Sequence, residues 1–340
     1  MKKRLLILLA LILTVLVGCE RRELEYGSAS LNLKIKINLN IRVNGKIQNL
    51  PTPEMMRVMF FDPNTYELVT ESYLPAGGGR VTLPPGRYKF LCYNFDTEAT
   101  LLRNDRDYTT IEAYTNEVSS ALKASLLSAI HNGVSLVKSD PEADPWAAAL
   151  QKVQEGAVIY EPDHLFVSHE DITVLNTDAE QVIETSAESI IDTWHISVRL
   201  KNRQYLSSAR ALLTGQIGSN FVGKDKEAGK TDTDVTLLFD MAAGSDEADN
   251  DIIVGTFNTF GKNPKVPSIL WLTIKTTGGD TVIWQKDITS EFYTEEAIQN
   301  MTIHIVEEIT IPTPTNPGGN GGGFQPGVDD WKVVDVPINI

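Results

Sequence analysis

The sequence predicts an all-β fold with two tandem antiparallel β-sandwich domains, the first of which carries a helical insert. Three observations support this prediction. Short apolar runs recur along the chain with the two-residue period of strands that have one wet face. Gly, Asn, Asp and Pro separate these runs, as turns between the strands of a sandwich require. The length of 340 residues suits about two domains.

The first 18 residues predict a lipoprotein signal peptide. Positions 2–4 are basic, an apolar run extends from Leu5 to Val17, and Gly18 precedes Cys19. A basic head and a short apolar core are typical of a secretory signal, and this run is short for a membrane span. The closing letters LVGC resemble the lipobox of bacterial lipoproteins. That resemblance implies cleavage before Cys19 and acylation of its thiol and its amine.

Residues 19–28 form the predicted lipidated spacer, which reads ERRELEYG directly after Cys19. Glu20, rather than Asp, follows the cysteine, and this start resembles that of lipoproteins bound for the outer membrane. Similar charged starts accompany surface export in Bacteroidetes-type lipoproteins, although retention on the periplasmic face stays open. Several acyl chains hold a protein firmly because each buried methylene contributes about 0.8 kcal/mol. We therefore expect a lipid-anchored protein of the outer membrane, at the cell surface.

Residues 29–188 form the predicted first sandwich. Seven apolar residues at alternate positions from Leu31 to Val43 predict one long antiparallel strand with a wet face. The dipeptide Asn44-Gly45 predicts a hairpin turn. The corner at residues 84–86, Pro-Pro-Gly, predicts a tight reversal between two strands, since proline fixes φ and glycine permits a positive φ.

Two helices near residues 117–156 interrupt the strands of this first sandwich. In the first helix, Val118 and Leu126 belong to one apolar face, and Gly133 supplies a stop. In the second helix, Asp144 can cap the N-terminus and Pro145 suits the first turn. We expect both helices to cover a sheet.

Residues 189–311 form the predicted second sandwich. Apolar residues alternate with polar ones from Trp194 to Leu200, and further short strands follow between turns. Thr277 to Asp280 predicts the turn of a hairpin. The sequence contains no internal repeat, although two tandem sandwiches can share a topology without one.

Residues 312–340 predict a Pro/Gly-rich tether that ends in a strand. Five glycines between Asn316 and Gly323 are typical of a flexible linker. The last ten residues then alternate again, so a tethered apolar strand must dock on its own domain or on a partner. Pro337 has no N–H, which suits an edge or a short insert better than a central strand. The residues predicted to contact the partner are Trp331, Val334, Val336, Ile338 and Ile340.

Several motifs resemble known families. VTLPPGRYKFLCYNF resembles the LP-x-G-x-Y hairpin of transthyretin-like β-sandwiches, and the family resemblance given next implies that fold for both domains. The segments LLTGQIGSNF, VTLLFDM, IIVGTFNTFG and the terminal W-x-x-V-x-V strand resemble those of the fimbrillin-associated lipoproteins of Bacteroidetes, including anchor subunits of type V pili. This resemblance implies no catalysis, a place at the base or surface of a pilus, and pilin subunits as partners. The insert at 116–156 and the acidic loop at 244–251 depart from the family pattern.

Composition and motifs exclude several other classes of function. The net charge of −15 argues against nucleic acid as a partner, because such binding depends on neutralised phosphates. With Cys19 acylated, Cys92 has no disulfide partner and is expected to be a small buried apolar residue. The five histidines lack the spacing of a zinc site, and no nucleophile, base and orienting group occur together. We expect no cofactor, no metal and no catalysis.

Two hypotheses for function remain open at the level of sequence. The first is a subunit that ties a pilus to the outer membrane, and it uses the tethered strand. The alternative is a surface adhesin or glycan-binding lipoprotein that contacts a host molecule or a sugar through exposed aromatic residues. Core packing is the competing role for each tryptophan. The candidate aromatic residues are Trp146, Trp271, Trp284 and Trp331.

Lipid attachment at Cys19 can be tested directly. Metabolic labelling with a fatty acid should mark the wild-type protein, and the Cys19→Ala variant should lose both the label and its place in the membrane fraction. A variant that labels as strongly as wild type and stays in the membrane would refute acylation at this residue.

Overall fold

The computed structural model describes residues 27–136, 145–177 and 179–314, without the side chains of Pro145, Trp146 and Ala148. Strands dominate, which confirms the predicted all-β class. The strands are β1 (Ala29–Asn38), β2 (Asn40–Val43), β3 (Lys46–Asn49), β4 (Met55–Phe61), β5 (Leu68–Pro75), β6 (Gly78–Leu83), β7 (Gly86–Asn94), β8 (Thr100–Arg103), β9 (Glu112–Thr115), β10 (Val134–Ser135), β11 (Ala157–Tyr160), β12 (Phe166–Val174), β13 (Gln181–Ser189), β14 (Asp192–Lys201), β15 (Leu206–Ile217), β16 (Ser219–Phe221), β17 (Asp234–Ser245), β18 (Asp251–Thr259), β19 (Ile269–Thr276), β20 (Thr281–Asp287) and β21 (Thr302–Thr310).

Helices are few and short in these ranges. None of them combines the length and the hydropathy that a bilayer-crossing helix needs. The α-helices are α1 (Ser120–Asn132), α2 (Pro145–Glu155), α3 (Lys226–Gly229) and α4 (Glu295–Asn300).

The first sandwich is one sheet of seven strands in the order β5-β4-β7-β12-β13-β1-β6. β12 and β13 pair only through Phe166↔Ser189 and Val167↔Glu188, so the sheet divides there into two layers. One layer holds β5, β4, β7 and β12, and the other holds β13, β1 and β6. The apolar faces of both layers enclose one core that includes Leu31, Leu33 and Phe90.

The second sandwich has the order β10-β20-β19-β15-β17-β18-β14-β21, with β11 also paired to β17. β17 is shared between two layers, because its first part pairs with β15 and its last part, from Ala242 to Ser245, pairs with β18. The predicted alternation of β14 is confirmed, since Trp194, Ile196, Val198 and Leu200 all point into the core.

The two sandwiches repeat one topology. In each, the first strand is central in a three-stranded layer, and the last strand of the sandwich pairs with it in parallel, β1 with β13 and β14 with β21. The next strands also correspond in chain order: β4, β5, β6, β7 and β12 take the places that β15, β17, β18, β19 and β20 take in the second sandwich. The architecture of two tandem sandwiches follows from this repeat, and most of the other strand pairs are antiparallel.

The long first strand is the main correction to the sequence prediction. The predicted single strand from Leu31 to Val43 is broken at Leu39 into β1 and β2. The Asn38 carboxamide accepts a hydrogen bond from the Asn40 N–H at 3.2 Å, which replaces a ladder bond at the break. Beyond it, the hairpin of β2 and β3 reaches the second sandwich, where the Gly45 N–H donates to the Asn300 carbonyl at 3.0 Å.

Two of the three predicted turns are confirmed as hairpins. Asn44 and Gly45 both have positive φ, 50° and 66°, and join β2 directly to β3. Residues 277–280 likewise join β19 to β20 as an antiparallel hairpin. The Pro-Pro-Gly corner differs from the prediction, because β6 and β7 belong to different layers and do not pair, and Gly86 has no positive φ. The corner carries the chain from one layer to the other, and the Tyr88 hydroxyl donates to the Pro84 carbonyl there at 2.8 Å.

The helical insert lies where the sequence predicts it, but it covers the second sandwich. The apolar faces of α1 and α2, which include Leu126, Ile130 and Val153, pack on the outer face of β15, β17, β19 and β20. The short strands at either end of the insert extend the same sheet, since β10 pairs with β20 and β11 pairs with β17. The insert therefore starts from the chain of the first sandwich, packs on the second sandwich and so joins the two.

A buried apolar cluster also joins the two sandwiches. Met59 and Tyr93 from the first sandwich contact residues of the second, such as Ile217 and Phe260. The connecting residues Ile190 and Ile191 are buried in this cluster. The connection between the two sandwiches has only these two buried residues, which leaves the sandwiches little freedom to move relative to each other. The predicted domain limits of 29–188 and 189–311 remain a prediction.

Two half-buried titratable groups lie at this junction. Burial raises the pKa of Glu161 to about 7, although its carboxylate accepts a hydrogen bond from the Asn258 N–H at 2.9 Å. Burial, aided by the charge of Lys226, lowers the pKa of His164 to about 4. The His164 ring nitrogens lie 2.8 Å from Ser189 Oγ and 3.0 Å from Thr193 Oγ1, so the neutral imidazole is well partnered.

These two groups predict opposite pH dependences of stability. Unfolded Glu161 loses its proton near pH 4.5 and the folded form near pH 7, so its contribution is lost as pH rises through that window. Unfolded His164 gains a proton near pH 6.5 and the folded form near pH 4, so its contribution is lost as pH falls.

Single variants separate the two effects. Each variant leaves one of the two groups in place. Urea unfolding between pH 4.5 and 7 should show that His164→Gln, which keeps Glu161, loses stability as pH rises. Glu161→Gln, which keeps His164, should lose stability as pH falls. Each change should be about 1–2 kcal/mol, because one pKa unit corresponds to about 1.4 kcal/mol before solvent screening. Identical pH profiles for the two variants would contradict this account of the junction.

Candidate functional site

The predicted site residues lie outside the described part of the chain. The structure therefore tests neither the lipid site nor the terminal strand directly. What it describes is the two places where those segments join the fold, at Ala29 and at Pro314. The residues concerned are Cys19, Trp331, Val334, Val336, Ile338 and Ile340.

The N-terminal join is a strand in the centre of a layer. β1 begins directly after the predicted spacer and lies between β13 and β6. Its inward residues Leu31 and Leu33 are 0% and 1% exposed. Its outward residues Lys34 and Lys36 form ion pairs with Glu184 of β13 at 3.6 and 3.3 Å. β1 thus completes the first sandwich, and its removal would open a groove lined by the core.

The C-terminal join lies beside the two ends of the second sheet. β21 is the last strand at one end of the strand order, and β20 lies near the other end, where only the two-residue β10 follows it. Both strands face the same core through Trp284 and Ile309. Lys286 of β20 reaches Glu307 of β21 at 3.0 Å. We call the space between these two strands the β20–β21 seam.

The chain leaves the described residues at the mouth of this seam. Ile311 donates its N–H to the Lys201 carbonyl at 3.0 Å, which holds the end of β21 to β14. Pro314 then lies against the β19–β20 turn, since a Cβ built on Gly278 would be 3.1 Å from the Pro314 Cβ. A segment that follows Pro314 therefore starts beside β21, whose outer edge pairs with no other strand within residues 27–136, 145–177 and 179–314, whereas β10 occupies the outer edge of β20 at Val282 and Ile283. Unpaired strand edges accept further strands.

The edge strand β5 presents an aromatic surface in the first sandwich. Tyr73 and Phe95 are 44% and 52% exposed, and their rings meet edge to face at 5.0 Å. The Arg57 guanidinium lies at nearly equal distances from the two ring centres, 5.9 Å from Tyr73 and 6.0 Å from Phe95. Arg57 is held by ion pairs with Glu71 and Asp105 and by a hydrogen bond to the Tyr93 hydroxyl at 2.7 Å. This cation fixes the two exposed rings in place.

The two candidate tryptophans within the described residues offer no binding surface. Trp271 and Trp284 are 3% and 2% exposed and pack in buried clusters, so core packing, the competing role, applies to both. Sequence alternation could not identify their direction, because tryptophan suits both a core and an exposed strand face. The side chain of Trp146 and all of Trp331 lie outside the described residues.

The other titratable groups form no reactive cluster. Across residues 27–136, 145–177 and 179–314, no three His, Cys, Asp or Glu side chains lie together in a way that could hold a metal ion. Cys92 is buried as predicted, and burial raises the pKa of its thiol to about 12, so the reactive thiolate is scarce. In the acidic loop, Asp246 accepts hydrogen bonds from the Asn250 side-chain amide and from the backbone N–H groups of Asn250 and Ala248, and these bonds lower the pKa of its carboxyl.

The chain is similar to proteins that are named as fimbrial or adhesive. It is 25% identical to a Bacteroides ovatus protein named "Putative fimbrium anchoring subunit Fim4B", over 96% of both chains. The fold matches a crystal structure titled as a "putative adhesin" from Bacteroides ovatus, with a TM-score of 0.57, 21% identity and coverage of 88% of this chain and 99% of that one. The fimbrial anchor protein Mfa2 from Porphyromonas gingivalis gives a TM-score of 0.43 and 12% identity, over 83% of this chain and 91% of its own.

The similarity to a fimbrium anchoring subunit along 96% of both chains confirms the resemblance to fimbrillin-associated anchor proteins that the sequence motifs indicate. A protein-family model also matches residues 18–240, a range that begins just before Cys19 and ends within β17. Because that match spans more than half of the chain, the protein belongs to the family described as "Domain of unknown function (DUF5119)".

Proposed function

We propose that this protein is a non-catalytic, lipid-anchored subunit of the cell surface that ties fimbriae to the outer membrane by strand addition. Cys19 carries the lipid, and residues 331–340 provide the strand that adds to a fimbrial subunit. The observation that carries the proposal is the likeness to a fimbrium anchoring subunit along 96% of both chains. Because the aligned region spans almost all of both chains, the likeness supports a role shared by the whole proteins rather than by one domain.

The buried N-terminal strand supports a donor role for the chain. β1 already fills the position between β13 and β6, with its apolar residues in the core. The first sandwich therefore needs no strand from another protein. A subunit fixed to the membrane at its N-terminus and complete at that end has its C-terminal segment left for a partner. Backbone hydrogen bonds and alternating apolar side chains then give affinity and register.

Docking within the same chain is the competing arrangement. The β20–β21 seam lies where the chain leaves Pro314, and residues 315–330 are long enough to return to it. In that arrangement the even-numbered residues from Val334 to Ile340 would pack beside Trp284 and Ile309. Intramolecular docking would make the terminal segment part of the second core, whereas donation leaves that core independent of it.

Deletion of Val334–Ile340 distinguishes donation from intramolecular docking. Donation predicts a lipoprotein that keeps its unfolding midpoint and its membrane location, while assembled fimbriae appear in the culture medium. Intramolecular docking predicts a lower unfolding midpoint, because part of the second core becomes exposed. Thermal unfolding of the purified protein and the amount of fimbriae shed into the medium measure the two outcomes.

A matched pair of charge variants sharpens this test. Val336→Asp places a carboxylate on the apolar face of the segment, and Asn339→Asp places the same charge on the opposite face. Fimbriae should be shed by Val336→Asp and retained by Asn339→Asp, since only the first charge would be buried against a partner. Equal retention by both variants would refute donation through this face.

A second candidate function is adhesion through the aromatic surface of β5. The exposed Tyr73 and Phe95 rings, held by Arg57, offer flat apolar faces beside charged groups, an arrangement that suits stacking against a sugar ring. The aromatic surface lies on the first sandwich and the C-terminal join on the second, so adhesion and anchoring are compatible in one protein. Because Trp271 and Trp284 are buried, the adhesin hypothesis rests on this surface rather than on those two tryptophans.

Glycan-array binding by the purified protein tests this candidate. The double variant Tyr73→Ala/Phe95→Ala should lose at least about tenfold in affinity for any glycan that wild type binds, since two stacking contacts contribute about 1–3 kcal/mol. Tyr293→Ala is the control, because Tyr293 is a similarly exposed aromatic residue of the second sandwich, at 54%. Unchanged binding by the double variant would exclude this surface.

A further inference from the structure

We propose that the paired first and last strands of each sandwich act as two force-bearing clamps in series, which keep the protein folded while tension passes from its N-terminus to its C-terminus. The pairs are β1 with β13 and β14 with β21. The proposal rests on the proposed anchoring function for the source of the tension. The mechanical property itself belongs to the isolated protein and can be measured without fimbriae.

The first clamp is a parallel ladder of eight residue pairs, from Leu31↔Gln181 to Asn38↔Glu188. Tension enters at the N-terminal end of β1, because the lipidated spacer ends there. It leaves at the C-terminal end of β13, where the chain continues to β14. Since the two strands run in the same direction, those points lie at opposite ends of the ladder, and the load tends to slide one strand along the other.

The second clamp has the same geometry. β14 pairs with β21 in parallel from His195↔Thr302 to Lys201↔Thr310, with an irregularity after Val198. Tension enters β14 at Asp192 and leaves β21 at Thr310, again at opposite ends. The hydrogen bond from the Ile311 N–H to the Lys201 carbonyl extends this ladder one residue beyond the strand.

The connection between the clamps is short and anchored. β13 and β14 are separated only by Ile190 and Ile191, which are 5% and 3% exposed. The Lys226 ammonium donates to the Ser189 and Ile191 carbonyls at 3.4 and 3.3 Å, and it forms an ion pair with Asp192 at 2.7 Å. Little chain can therefore be drawn out between the two ladders before one of them breaks.

The direction of the load decides how a ladder fails. Hydrogen bonds between parallel strands are evenly spaced, so a load along the strands is shared among them and several must break together. A load applied to neighbouring ends of an antiparallel pair breaks the bonds one after another. Resistance to pulling is governed by the unfolding barrier rather than by equilibrium stability, so shear raises it without adding contacts.

The structure offers both geometries on one strand. β1 also pairs antiparallel with β6, and Ser30 lies opposite Thr82 at the end where tension enters. A protein pulled between Cys19 and Thr82 is therefore loaded so that β1 and β6 peel apart. A protein pulled between Cys19 and Thr313 is loaded in shear through both clamps. Thr82 and Thr313 are both exposed.

Single-molecule force spectroscopy on the mature chain tests the proposal. Unlipidated protein from residue 19 onward carries Cys19 as one handle, and Thr313→Cys (shear attachment) or Thr82→Cys (peeling attachment) supplies the other, while the buried Cys92 stays unlabelled. At equal loading rate, the shear attachment should rupture at a several-fold higher force than the peeling attachment. Equal forces for the two attachments would overturn the proposal.

A pair of proline variants provides a second measurement. The Ile35 N–H donates to the Gly77 carbonyl on the β6 side, so alternation directs the Lys36 N–H toward β13. Lys36→Pro removes a bond from the first clamp, whereas Ser72→Pro alters the edge strand β5, which lies off the load path.

Urea unfolding establishes how far each proline lowers equilibrium stability. Lys36→Pro should lower the rupture force of the shear attachment, and Ser72→Pro should leave it within error, even where the two lose similar stability. A rupture force that follows equilibrium stability in both variants would overturn the clamp. Loss of fimbrial retention by the Val336→Asp variant leaves these forces unaffected, so failure of the anchoring function is distinguishable from failure of the clamp.

Discussion

The parallel pairing of the first and last strands of each sandwich is the constraint on which the rest of the structure depends. β1 and β13 are separated in sequence by all the other strands of the first sandwich, and β14 and β21 by all the others of the second. Contacts so distant in sequence carry a loop-closure cost that local hairpins avoid. The remaining strands complete the layers around these pairs, so both chain ends of each sandwich are fixed within its three-stranded layer.

That constraint links the fold to the proposed role. The N-terminal strand follows the predicted lipid spacer directly and is buried among the side chains of the first core, so the proposed anchor would connect to a strand of the folded unit. The described part of the second sandwich ends at β21, whose outer edge pairs with no other strand there. The insert, the β2–β3 hairpin and the cluster around Ile190 and Ile191 hold the two sandwiches together. An anchor that bears load between its two ends needs these features together.

Much of the fold could be predicted from local pattern, because alternation and turn chemistry act over a few residues. The alternation from Trp194 to Leu200 and the turns at Asn44-Gly45 and residues 277–280 were predicted correctly for this reason. The partners of the elements could not be predicted in the same way. A period of two is common to parallel and antiparallel strands, so it did not indicate that β1 pairs in parallel with β13. An apolar helix face likewise does not specify which sheet it covers, and Leu126 packs on the second. Glu161 and His164 lie in a loop without a motif, and their pKa values are shifted mainly by desolvation, which depends on the packing of residues distant in sequence.

Hydrogen–deuterium exchange on the full lipoprotein, alone and bound to a fimbrial subunit, tests the central claim that the chain completes itself at one end and donates at the other. The account predicts that amides of Leu31–Asn38 are strongly protected in both states, since β1 stays between β13 and β6. It predicts that residues 331–340 gain protection only when the subunit binds. Loss of protection in β1 on binding, or no gain in residues 331–340, would contradict it.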